Sequence, residues 1–280
     1  MNIQTKASFK KEVISFFRTY TFVIVALVII GLAALSPIMI TGMAFIMDAM
    51  SELSNEIGVD VTEITNLLDT SSSSTGVISS ISDITGVGLI VFLLLINKAA
   101  GGELKKRAVI IPRAAGLRSF PYIFPKFIVY PITGFVITFV AMFISWGVST
   151  VVFEANNIAF ANVFIAAVLT GVFIMFYTCF HLTIGTATGK AGMSAAICIV
   201  ASFLLSNIFA VANLDYMFNP FALNSLAASV TVRGSLSSSE IMDIVFTILF
   251  ALGIMVVAYL IALFAQNAKK IDNTGNEIEL

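Results

Sequence analysis

The segment of this sequence most similar to a nucleotide-binding motif is Gly185-Thr-Ala-Thr-Gly189-Lys190. A phosphate-binding loop needs four residues between its glycines and Ser or Thr after the lysine, because its backbone N–H groups and that hydroxyl hold the phosphates and Mg²⁺. Here only Thr-Ala-Thr separates the glycines, and Ala191 follows the lysine. The pattern therefore predicts a tight turn between two helices, with Lys190 as a charge that orients the chain, and no nucleotide site.

The other side chains that could do chemistry are isolated along the chain. His181 is the only histidine and has no acidic residue in its apolar segment, which favours packing or capping over proton relay or metal binding. Cys179 and Cys198 lie in apolar segments, which favours buried free thiols over a disulfide or a metal pair. No Ser-His-Asp or HExxH pattern is present. We therefore expect no catalytic, metal or cofactor site in this chain.

The most informative segment for function is Gly101–Lys126, which separates two apolar segments. A simple connection between antiparallel helices needs only about 2–8 residues. The charged start and apolar centre of this loop predict a short helix over Glu103–Ile111 that Pro112 ends. Two interpretations remain open for that helix. It could dock on a protein partner, or it could lie at the membrane interface with its basic residues on lipid headgroups.

The elements around this loop are predicted to cross a lipid bilayer. The 280 residues are 59% hydrophobic and 11% charged, with a mean hydropathy of +1.02, whereas soluble domains carry about 25% charged residues. The net charge of −1 implies no basic surface for nucleic acid. We expect one all-α integral membrane domain over residues 1–280, built as a six-transmembrane-helix bundle. The six apolar segments, each near the roughly 20 residues that a span needs, are Phe22–Met47, Ile84–Ala99, Phe127–Phe153, Ala159–Ile184, Ala191–Val211 and Ile241–Ala265.

The distribution of lysine and arginine predicts the orientation of the bundle. Of the 15 basic residues, all but Arg233 lie in the N-terminal segment, at Lys98 and in the 101–126 loop that follows it, at the turn with Lys190 or in the 266–280 tail. These segments are therefore predicted to be cytoplasmic. Both termini would lie on the cytoplasmic side of the plasma membrane. The 48–83 segment contains acidic but no basic residues and is predicted to be an outer loop. Its apolar spacing indicates two short amphipathic helices joined by Ser71–Ser74.

Two further short helices are predicted next to the spans. Residues 1–21 are expected to form an in-plane amphipathic helix, because Phe9, Val13, Phe16, Phe17 and Tyr20 share one face and the basic residues lie off it. On the outer side, Phe221–Val232 is apolar and bounded by turn residues. It is predicted to be a re-entrant or interfacial helix.

This arrangement resembles the membrane subunit of an ABC exporter of the type-two permease family, in which the ATPase is often a separate chain. The resemblance rests on the in-plane N-terminal helix, the six spans, the long first outer loop and the order Glu103, Val109–Ile111, Pro112, Arg113 and Lys126. One departure is local. Members usually have Gly-Thr before the apolar helix, where this sequence has Lys106-Arg107-Ala108.

The resemblance implies that the 103–120 segment is a coupling helix, which sits in a cleft of the ATPase. Lys190 is a candidate for a second, smaller contact. The implied partners are an ATPase dimer that binds ATP and Mg²⁺, and a second permease chain, identical or related. The implied activity is export of a lipophilic or amphipathic substrate. The residues expected to contact the ATPase are Glu103, Leu104, Lys105, Lys106, Arg107, Val109, Ile110, Ile111, Pro112 and Arg113.

Two other classes of function remain open from the sequence. A secondary carrier or channel would work without an ATPase, but it would need charged residues within its spans, and the sequence predicts none there. A membrane scaffold or sensor would bind a partner and transport nothing.

Overall fold

The computed structural model describes residues 3–57, 72–153, 158–211, 219–234, 236–268, 270–271 and 277–278. A 3₁₀ turn covers Pro220–Ala222, and two-residue strands β1 (Lys270–Ile271) and β2 (Glu277–Ile278) pair antiparallel. The helices within these residues are α1 (Ile3–Arg18), α2 (Thr21–Ile57), α3 (Ser73–Lys105), α4 (Ile110–Ala114), α5 (Ser119–Val152), α6 (Phe160–Thr188), α7 (Ala191–Val211), α8 (Leu223–Val232) and α9 (Ser238–Ala268).

Five of these helices, α2, α3, α5, α6 and α9, are long and apolar enough to cross a membrane. The chain is therefore a helical multi-pass membrane protein, as its composition predicts. The predicted fifth span corresponds to α7, a 21-residue helix. Its membrane crossing stays a prediction.

The second span differs most from its prediction. α3 covers 33 residues and extends beyond Ile84–Ala99 in both directions. Val77 and Ile81, which the spacing assigned to a helix in the outer loop, are buried inside the bundle. Their packing outweighs the weak helix propensity of the surrounding serines and glycine. Of the rest of the predicted outer loop, residues 48–57 continue α2, and residues 58–71 lie outside the described part of the chain.

Two π-helical segments interrupt α3, at Ile84–Gly88 and at Lys98–Gly102. A π segment inserts an extra residue into a helix and is frequent at functional sites. The first follows directly after Asp83 and the second lies directly before Glu103. Both acidic residues therefore lie where the regular helix is locally widened.

α6 forms the centre of the bundle, since it packs against α5, α7, α8, α9 and the second π segment of α3. The contact with α3 depends on glycine. An added Cβ at Gly101 would lie 2.6 Å from the Gly185 carbonyl oxygen, and one at Gly185 would lie 2.7 Å from the Ala100 carbonyl oxygen. The two backbones can therefore approach more closely than larger residues would allow, as is common between membrane helices.

A proline in α2 explains one hydrogen bond between spans. Pro37 has no N–H, so the carbonyl of Ala33, four residues earlier, loses its helical partner. The Ser80 hydroxyl of α3 lies 3.2 Å from that carbonyl oxygen and 3.0 Å from the carbonyl oxygen of Gly76 in its own helix, and Ser145 of α5 donates to Ser80 at 2.6 Å. When the single Ser80 proton points to Ala33, a neighbouring side chain satisfies a backbone group that lipid could not.

The two short apolar helices pack against the bundle. α8, at the predicted re-entrant or interfacial segment, lies against α6 and α3. α1 packs onto α5 through Thr5, Glu12 and Phe16. Of the apolar face predicted for α1, only Phe16 is buried, whereas Phe17 and Tyr20 are exposed. One part of the predicted apolar face therefore packs against the bundle, and the other part is exposed on its surface.

Candidate functional site

Four charged side chains from three helices form a cluster at one end of the bundle. Lys126 of α5 lies 2.7 Å from Glu103 at the end of α3 and 3.8 Å from Glu12 of α1. Lys11 lies 2.7 Å from the other oxygen of Glu103. The Lys126 side chain is 0% exposed. We call Lys11, Glu12, Glu103 and Lys126 the charge cluster, and the end of the bundle that contains it the basic end.

Hydrogen bonds from neighbouring groups complete the charge cluster. The Tyr130 hydroxyl donates to Glu12 at 2.8 Å, and Lys126 donates to the carbonyl of Ala99, in the second π segment, at 2.9 Å. The Lys126 ammonium also lies 4.5 Å from the centre of the Tyr122 ring. Buried charges are tolerated only when they are paired and hydrogen-bonded. The cluster therefore fixes the middle of α1, the end of α3 and the first part of α5 relative to one another.

The loop between α3 and α5 differs from its prediction. The predicted helix Glu103–Ile111 does not form. Glu103–Lys105 ends α3, the chain turns through residues 106–109, and the short helix is α4, Ile110–Ala114. Glu103 is held in the charge cluster, and Arg107 has a positive φ of 55° that breaks the helix. Pro112 lies in the first turn of α4, where its missing N–H has no helical partner to lose.

Side chains from several helices hold this loop against the bundle. Arg113 of α4 donates to the side-chain oxygen of Gln266 in α9, and Gln266 donates to the carbonyl of Thr186 in α6 at 2.5 Å. At the other end of the loop, Gln4 of α1 donates to the Gly116 carbonyl at 3.2 Å. The loop is thus bound to two helices besides those that it connects, and one of them, α9, is bonded in turn to α6.

The outward side of α4 is apolar. Ile111 is 80% exposed, and Pro112, Ala114 and Ala115 beside it are exposed as well. We call these four residues the docking face. A small apolar surface on a firmly attached helix is suited to contact with another protein, because little conformational freedom is lost on binding.

No family model, curated protein or solved structure matches the chain. Function must therefore be inferred from the geometry of the site.

The structure places the predicted site residues in different surroundings. Glu103 belongs to the charge cluster, and Val109 is buried. Arg113 is engaged with Gln266, while Ile111 and Pro112 form part of the docking face. Lys105, Lys106 and Lys190 line one cleft at the basic end, together with Lys98. The remaining residues, Leu104, Ile110 and Arg107, are half-buried or exposed.

Sequence reasoning missed Lys11, Glu12 and Tyr130 as partners of the site. One signal was present. Glu12 lies four residues before Phe16, so this carboxylate shares a helix face with an apolar residue inside a basic segment. Its partners could not be read from the sequence, because Glu12 and Tyr130 are 118 residues apart.

The prediction that no charged residue lies within a span is wrong. Asp83 belongs to α3, 15 residues before Lys98, and therefore lies about 22 Å deeper along the helix axis. Its carboxylate accepts a hydrogen bond from Ser36 of α2 at 2.5 Å. The error arose because the start of α3 was assigned to the outer loop. An acidic residue at this depth is a candidate functional residue.

The single histidine and the two cysteines lie inside the bundle. His181 of α6 is fully buried, and its Nδ1 lies 2.8 Å from the Ser194 hydroxyl of α7. Cys179 and Cys198 are buried and free, as predicted. Across the described ranges, no group of three or more His, Cys, Asp or Glu side chains is placed to hold a metal ion.

Proposed function

We propose that this protein is the membrane subunit of an ATP-driven exporter of the ABC type, whose ATPase subunits are separate chains that bind at α4. The observation that carries this proposal is Ile111, an apolar side chain that is 80% exposed on a short helix fixed to the bundle. A helix that only lies in lipid needs no attachment to the bundle, whereas α4 is attached through Arg113 and Gln266. A helix that transmits force from a bound protein needs such an attachment.

The charge cluster gives this attachment a mechanical role. Closure of two ATPase subunits around ATP and Mg²⁺ is a rigid-body movement, and a helix clamped in each subunit would move with it. Glu103 and Lys126 lie on either side of the loop that carries α4. Separating such a buried pair costs several kcal/mol, so α1, α3 and α5 would move with α4 as one unit.

The rest of the proposed assembly follows from the exposed surfaces. α2 and α9 present large apolar side chains such as Met39 and Phe264, which suit lipid or a second permease chain. Two copies, or this chain and a relative, would enclose a path along α2, α3 and α7. Its apolar lining favours a lipophilic or amphipathic cargo, such as a peptide antibiotic, a lipid or a drug. The basic end would face the cytoplasm, across the plasma membrane.

Co-purification tests the proposal. The tagged chain would be extracted in mild detergent from its native cells, and the bound proteins would be identified and quantified by mass spectrometry. We expect a nucleotide-binding ATPase in stoichiometric amount with the wild type. Ile111→Ser should lose it. Val151→Ser is the matched control, since Val151 is an apolar residue of α5 that is 85% exposed, and it should retain the ATPase. Purification of the wild type without an ATPase would overturn the proposal.

Asp83 favours a second candidate function, a carrier driven by protons or another cation. An acidic residue inside a membrane-spanning helix is a common site for a coupling cation in such carriers. Such a carrier would work without an ATPase. Proton flux into vesicles that contain the protein alone distinguishes the two functions.

A further inference from the structure

Four lysines line a cleft at the basic end, and their side chains form no hydrogen bond or ion pair with other described residues. The cleft has a volume of about 770 Å³ and lies between the end of α3 and the start of α7. Lys98 and Lys105 belong to α3, Lys106 follows α3, and Lys190 precedes α7. No carboxylate is among the residues that line it. We call this cavity the lysine cleft.

Like charges gathered in one cavity repel each other, so the lysine cleft is suited to an anion. Backbone groups at the start of α7 add to this preference. Ala191, Gly192 and Met193 line the cleft, and the first N–H groups of a helix have no partners inside it.

An apolar stripe continues from the lysine cleft along α7. Its members are Met193, Ile197, Val200 and Leu204, each 44% exposed or more. Their spacing of four, three and four residues places them on one face of the helix. From Met193 to Leu204 the stripe extends about 16 Å, roughly half of a hydrocarbon core about 30 Å thick. A charged cleft at the end of an apolar stripe matches an amphipathic ligand.

We propose that the lysine cleft binds an anionic phospholipid, with its phosphate among the lysines and an acyl chain along the α7 stripe. The cleft lies at the ends of α3 and α7, which is the depth of the headgroups if both helices cross the bilayer. A soluble phosphate would use the lysines but not the stripe. This site does not depend on an ATPase.

Native mass spectrometry of the detergent-purified chain tests the proposal. The chain would be titrated with phosphatidylglycerol and, separately, with phosphatidylcholine. We expect the wild type to bind phosphatidylglycerol in preference. Lys106→Gln/Lys190→Gln should weaken that binding about tenfold or more, given what basic residues near a membrane surface contribute. Lys6→Gln/Lys10→Gln is the matched control, because these lysines are exposed on α1 and do not line the cleft. It should keep the preference.

A second measurement separates lipid from other anions. Reaction of Lys106 and Lys190 with an amine reagent would be followed by peptide mass spectrometry, in the presence of phosphatidylglycerol or of inorganic phosphate. Protection by the lipid alone supports the proposal. Equal protection by phosphate would assign the cleft to a soluble anion and overturn it. In the native mass spectrometry, equal loss of phosphatidylglycerol from the cleft variant and from the α1 control variant would also overturn it. So would equal binding of phosphatidylglycerol and phosphatidylcholine by the wild type.

Discussion

The Lys126 ammonium and the Glu103 carboxylate lie 2.7 Å apart at the two ends of the loop that carries α4. Neither residue is more than 8% exposed. The pair thus connects the last turn of α3 to the start of α5, and Lys11 and Glu12 attach α1 to the same point. A loop anchored in this way can transmit a force from outside the bundle to three helices.

Removal of Lys126 should destabilise the bundle. In Lys126→Met, the carboxylates of Glu103 and Glu12 lose their buried cation, which typically costs about 3–5 kcal/mol. Thermal unfolding in detergent measures the effect. Lys11→Met is the control, because that side chain is 54% exposed and Glu103 keeps its buried partner Lys126, so the loss of stability should be smaller. Equal stability of the two variants would contradict a structural role for the buried pair.

The close contact between α3 and α6 predicts a second loss of stability. Gly185→Ala would place a methyl group 2.7 Å from the Ala100 carbonyl oxygen, and such overpacking costs about 1–3 kcal/mol. At Gly253 of α9 an added Cβ meets nothing within 4 Å. Gly253→Ala should therefore be neutral or slightly stabilising, since alanine favours a helix. The unfolding temperatures of both variants in detergent test this, and a stable Gly185→Ala would refute the contact.

Asp83 separates the two candidate functions. Asn can accept the same hydrogen bond from Ser36 but cannot ionise, so Asp83→Asn should fold as the wild type does. The exporter account predicts that neither protein collapses a pH gradient imposed on proteoliposomes without ATP, as followed with a pH-sensitive dye. Proton flux through the wild type that Asp83→Asn abolishes would favour the carrier instead.

The orientation of the bundle can be tested with two single cysteines. Lys106 and Ser238 are exposed at opposite ends of the bundle, and the native Cys179 and Cys198 are buried, so background labelling should be low. A membrane-impermeant maleimide should label Ser238→Cys in intact cells. It should label Lys106→Cys only after permeabilisation. Labelling of both from the same side would contradict the topology.

The sequence predicted the membrane class well because hydropathy is a sum over about 20 residues and tolerates local errors. It predicted the start of α3 poorly. The segment with Val77 and Ile81 contains serine, glycine and an acid, so its composition predicts a helix in the outer loop. Its packing against α2 and α8 is visible only in the structure. The same error hid Asp83.

The candidate site was only partly predictable for a related reason. The loop and its exposed Ile111 follow from local composition. The charge cluster does not, because Lys11 and Glu103 are 92 residues apart and their meeting depends on how α1 packs on α5. The limits of α4 also depend on this contact, since the held Glu103 keeps residues 103–105 in α3 and moves the short helix toward Pro112.

The most direct test of the account is photo-crosslinking from position 111 in living cells. A photoreactive amino acid would replace Ile111 and, as a control, Val151, and the adducts would be identified by mass spectrometry. The account predicts that position 111 crosslinks to a nucleotide-binding ATPase subunit and that position 151 does not. Adducts from position 111 with lipid alone, or with a protein that has no nucleotide site, would contradict it.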